Sequence, residues 1–210
     1  MSHLRRFAFL GVFVLLVGVV GVLAAPEYVM VDILDWVNND GISTAEYPGD
    51  QDLDGVGYGF PAEQLPEGDF TVAWDDDVVI PFMGFYMEDG WGNNIEAWGD
   101  TIDVPAGNYS GLWLLVVTHH GPVETYLILN YADGTSTEYV LVGGDWCGDP
   151  AGDERMVIRP PYRHSASGEA GPSCGMWLLP KFEVDPTKEL VSITLPDEDR
   201  LHIFGITLEK

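Results

Sequence analysis

From Tyr28 onward the apolar residues come in short runs rich in Val, Ile, Thr and aromatics, each cut off by a cluster of Gly, Pro, Asn and Asp. That punctuation makes strands and turns, and it leaves no stretch for a long amphipathic helix. Strands are expected over 28–34, 70–74, 78–82, 94–98, 101–104, 111–118, 124–131, 135–142, 156–158, 176–184, 190–195 and 201–208. Asp133-Gly134, between two of these runs, supplies the positive backbone dihedrals of a tight hairpin. Leu112 to Val117 is apolar without alternation, as in a strand covered on both faces, whereas 135–142 alternates and should have one wet face. So many short strands predict an all-β fold: an antiparallel β-sandwich or jelly roll. The longest stretch with little strand character, 143–175, is expected to cross one end of the sandwich as a loop.

The chain has 210 residues, and 1–24 have the pattern of an export signal: Arg5 and Arg6, an apolar run over 7–23, then Ala24 and Ala25 before a proline. Cleavage is expected after Ala24. The alternative is an uncleaved anchor, since the run is near the length that spans a bilayer. Either way, residues 25–210 form a single β-sandwich domain that is secreted or displayed at the cell surface, touching a membrane only through an uncleaved N-terminal segment.

Nine basic residues stand against 34 acidic ones, and two of the basic ones lie in the leader, leaving −27 on the remainder. That charge argues against nucleic acid as a partner. Cys147 and Cys174 are the two cysteines, and in an exported chain they are expected to form a disulfide. A zinc site using both thiols and His164 would lack ligands at recognised spacing.

Asp50, Asp52 and Asp54 alternate ahead of Gly55, which suits calcium coordinated in a loop. The series opens like an EF-hand but carries Pro61 at the twelfth position, so no helix-loop-helix is expected. Trp113 and Trp177 sit in apolar strands and read as core, whereas Trp91 sits in the polar turn Asp89-Gly90-Trp91-Gly92-Asn93-Asn94. A pyranose needs a flat aromatic face and hydroxyl partners, so Trp91, Asn93 and Asn94 are the first candidate ligand residues, followed by Tyr58 and Trp146. Arg163 and His164, scarce cations inside the expected disulfide loop, are candidates as well, with an ion pair from Arg163 to Asp145 or Asp149 as the structural alternative. His119 and His120 close a strand, so they should face opposite sides of the sheet and not share a ligand.

Asn39-Asp40-Gly41-Ile42-Ser43, Asp52-Leu53-Asp54-Gly55 with Gly57-Tyr58, and Pro61-Ala62-Glu63 with Leu65-Pro66 open a longer series. It continues through Tyr131-Ala132-Asp133-Gly134-Thr135, Asp145-Trp146-Cys147, Arg163 and Gly168, and closes on Ser192-Ile193-Thr194-Leu195-Pro196, His202-Ile203-Phe204 and Thr207-Leu208. In order and spacing this resembles a galactose-binding-like β-sandwich, the carbohydrate-binding-module-like domain appended to secreted bacterial glycoside hydrolases. The resemblance implies a jelly roll, an extracellular role, a structural calcium and carbohydrate binding through loops at one end.

No nucleophile elbow, His-Glu-x-x-His pair or phosphate loop is present. The expectation is therefore a non-enzymatic, secreted carbohydrate-binding protein stabilised by calcium. The alternatives are a structural or adhesive surface protein that binds another protein or the envelope and, less favoured, a small glycoside hydrolase whose carboxylate pair the sequence does not single out.

Overall fold

The computed structural model describes residues 25–210; the export signal expected over 1–24 lies outside the described residues. Two antiparallel sheets pack face to face. The larger is centred on Gly111–Thr118 and Asp197–Glu209, paired in register from Leu201↔Thr118 to Glu209↔Gly111. Tyr28–Val31 and Ile95–Trp98 flank the C-terminal strand, while Met176–Leu178, Phe182–Glu183 and, beyond them, Arg155–Ile158 extend the other side. The smaller sheet orders Ser136–Gly143, Val123–Tyr131, Glu189–Thr194 and Thr101–Asn108.

The apolar run in Gly111–Thr118 is buried at every position because two cores lie on either side of it. Leu112, Leu114 and Val116 face the smaller sheet and pack with Leu127, Leu129, Ile193 and Ile203. Trp113, Leu115 and Val117 face the opposite way, into a second core with Ile42, Leu53, Phe60, Phe82, Trp146 and Phe204. That second layer comes mostly from the segments expected to be loops. The hairpin of Phe70–Ala73 and Val79–Phe82 lies over it, and Phe82 comes so close to Gly205 that a Cβ there would stand 2.6 Å from the ring. By contrast Ser136–Gly143 alternates exposed and covered positions, as its sequence predicts.

The strand expected over 176–184 is broken in two, because Pro180 has no amide hydrogen for the ladder. The region 143–175 holds an unforeseen hairpin, Arg163–Ser165 with Gly168–Ala170. The disulfide joins Cys147 to Cys174, and closing 27 residues stabilises the fold by roughly 3–4 kcal/mol on the chain-entropy account.

Candidate functional site

Two of the three aspartates expected to share a calcium ion have other work. Asp52 Oδ1 accepts the Gly57 amide at 2.8 Å, and Asp54 Oδ1 accepts those of Val56 and Tyr58 at 3.2 and 3.1 Å. Gly55 and Gly57 take positive φ, so the carboxylates brace a tight turn of their own backbone. Asp54 is buried, with its second oxygen 3.8 Å from the Arg163 guanidinium. Asp50 is exposed and stands apart, beside Gly90. Asp50, Asp52 and Asp54 therefore do not fit one cation.

A better hard-cation donor is Asp40. Its Oδ1 accepts Asn93 Nδ2 at 2.7 Å, whereas its Oδ2 is buried without a partner. Burial, and after it the nearby charge of Asp50, raises the Asp40 carboxyl pKa above its ordinary value. A buried carboxylate oxygen without a hydrogen-bond partner, within the field of the Asp50 charge, is an oxygen donor of the kind calcium takes.

Most of the expected sugar contacts are corrected by burial. Asn94 is fully buried: its Nδ2 donates to Asn39 Oδ1 at 2.9 Å and Asn93 Oδ1 at 3.0 Å, and its Oδ1 lies 2.7 Å from His202 Nδ1. Asn93 is buried as well, its Oδ1 accepting the Gly41 amide. These amides tie the 38–41 segment to the sheet and have nothing left for a ligand. Trp146 is buried edge-on to Phe60 at 5.3 Å. Arg163 lies under Tyr58, 3.8 Å from the ring centre, and donates to the Gly171 carbonyl; its ionic partner is Asp54, not Asp145 or Asp149. His164 is buried between Ser43 Oγ at 3.0 Å and Glu63 Oε1 at 3.2 Å. The half-buried Tyr58 serves as the lid of Arg163.

Trp91 is different. It is 60% exposed and, with Leu34, Val37, Tyr86 and Gly92, lines a shallow cleft that runs on to Met83 and Phe85. Leu34 and Met83 are exposed too, so the cleft offers aromatic and aliphatic surface to solvent. Tyr86 donates its hydroxyl to Glu88 Oε2 at 2.6 Å, which fixes one polar group at the rim.

A second cleft escaped the sequence reading. Asp52, Asp54, Glu96, Asp199, Arg200, His119 and His120 line it. The two histidines do not face opposite sides: the strand ends at Thr118, and His120 takes a φ of 56°, the one non-glycine positive φ among the described residues. This turns the rings toward each other, Nδ1 to Nδ1 at 2.8 Å.

A family model for the AziU2-like beta-sandwich domain matches residues 27–210. The chain belongs to that family. No curated protein matches it. The AziU2-like domain thus accounts for the whole sandwich, both cores and both clefts. Of the residues singled out for sugar contact, this AziU2-like domain leaves Trp91 open to solvent and commits the buried ones to holding loops on the larger sheet.

Proposed function

We propose that this domain is an exported, non-catalytic protein that binds carbohydrate at the Trp91 cleft. The observation that carries this reading is an exposed indole beside Tyr86 at the mouth of a cleft, with carboxylate and hydroxyl groups at the rim. An indole face covers the apolar face of a pyranose, and rim oxygens take its hydroxyls. The acidic surface favours neutral or cationic glycans over anionic ones. The galactose-binding-like subtype of the sandwich belongs to the same reading.

Screening a glycan panel should give saturable binding to at least one member. Trp91→Ala should weaken it about thirtyfold, since a central aromatic anchor is worth about 2 kcal/mol. No hits, or equal binding by the variant, would remove the reading. Self-association lost in the same variant would instead favour the adhesive alternative, for which the exposed Leu34, Met83 and Trp91 are the observation.

We assign the calcium of this reading to Asp40 and Asp50. A cation that binds only the folded state at a hundred times its Kd stabilises by about 2.7 kcal/mol, several degrees in Tm for a domain of this size. Calcium should raise Tm by that much in the parent and leave Asp40→Asn unchanged. An unmoved parent would sink the assignment.

A further inference from the structure

The histidine cleft plays no part in that reading, and its geometry is unusual. Consecutive strand residues point to opposite faces, so bringing the His119 and His120 rings together required a left-handed backbone at His120. For a residue with a Cβ that conformation costs about 1–2 kcal/mol, persists only where the surroundings impose it, and collects at ligand sites. The surroundings are present here: the Gly121 amide donates to Asp145 Oδ2 at 2.7 Å, and Asp145 Oδ1 accepts the amide of the disulfide residue Cys147. The rings meet nearly perpendicular, 84° apart, with the two Nδ1 atoms converging. In the free protein one proton must sit between them, because two bare lone pairs or two N–H groups would repel.

His202 backs this pair, its ring centre 5.2 Å from that of His119. Asn94 fixes its tautomer. With Asn94 Nδ2 facing three oxygens, its Oδ1 must accept, so His202 Nδ1 carries the hydrogen and Nε2 a lone pair that is buried without a partner. Across the cleft stand four carboxylates, and that of the exposed Asp199 has no hydrogen bond or ion pair among the described residues. Convergent imidazole nitrogens with carboxylate at hand are the donor set of zinc-class ions, whereas calcium prefers oxygen throughout.

We propose that this cleft binds one divalent transition-metal ion of the zinc class through Nδ1 of His119 and Nδ1 of His120, with the Asp199 carboxylate turning in as third donor. Among the described residues no three His, Cys, Asp or Glu side chains already stand together as a metal group, so binding requires that turn of Asp199. Two metal–nitrogen bonds of about 2.0–2.1 Å do not fit on a 2.8 Å N···N line, so the two rings swing apart slightly as the ion displaces the shared proton to solvent, and its fourth position is left to water.

The test is titration of tag-free, metal-stripped protein with cobalt(II), read by its ligand-field absorption, followed by displacement with zinc. One equivalent should saturate the parent, and millimolar calcium should not compete. His119→Ala should abolish the signal, and Asp199→Ala should weaken binding at least about tenfold. His120→Gly is the decisive variant: glycine accepts the left-handed backbone, so the metal-free protein should melt no lower than the parent while the cobalt signal disappears. Absence of saturable binding by the parent, or equal binding by His120→Gly, overturns the proposal. Trp91→Ala should bind cobalt as the parent does, which separates this site from the glycan cleft.

Discussion

Lowering the pH from 6.5 to 3 should cost the native state about 4 kcal/mol through His202 alone. The side chain is 1% exposed, and burial, helped by His119, pushes its pKa down to about 3 against an ordinary 6.5. Well above pH 6.5 the imidazole is neutral in both states and contributes no pH dependence. Below it the unfolded chain takes up a proton that the folded one refuses until about pH 3, so stability falls with pH by up to about 1.4 kcal/mol per unit. His119, also held below its ordinary value, acts in the same direction. His202→Asn keeps an N–H for Asn94 Oδ1 and removes the titrating ring. Urea unfolding across this range should show the parent losing its advantage over His202→Asn as pH falls. Parallel curves would mean that His202 takes its proton while folded.

Phe60→Ala should remove about 3–5 kcal/mol, the usual range for a fully buried phenylalanine. Phe60 lies edge-on to both Trp146 and Phe204, at 5.3 and 5.7 Å, and its strand pairs in parallel with Ile42–Ser43. It therefore joins the early loops, the disulfide region and the C-terminal strand in one cluster. Because Gly111–Thr118 contributes alternate residues to both cores, the loss should lower the midpoint of a single unfolding transition. A separate early transition would show that the second layer melts without the sandwich.

The strands were legible because their signals are local. Residues 111–118 announced a doubly buried strand by lacking alternation, and the two cysteines left one pairing. Trp113 and Trp177 were readable as core for the same reason, and Trp91 as exposed because turn residues surround it. The site was harder, since its arrangement depends on long-range contacts. Nothing near Asn94 says that its amide reaches His202, 108 residues away, and nothing near Asp54 names Arg163 as its partner. The second core hid in segments rich in Gly, Asp and Pro, whose isolated Ile42, Leu53 and Phe60 make no pattern by themselves. The convergence of His119 and His120 turns on one backbone dihedral, which alternation along a strand would forbid.

A strand that serves as a wall common to two cores has no outer side, and that decides where this protein can be altered. Any side chain between Gly111 and Thr118 is hemmed in from one direction or the other, so neither shape nor polarity is free there. The opposite condition holds on the outside of the smaller sheet, where Tyr126 and Val140 sit directly across from each other with more than half of their surface in water. New charges, labels or attachment points belong on that outer sheet face, where their effects end at the solvent.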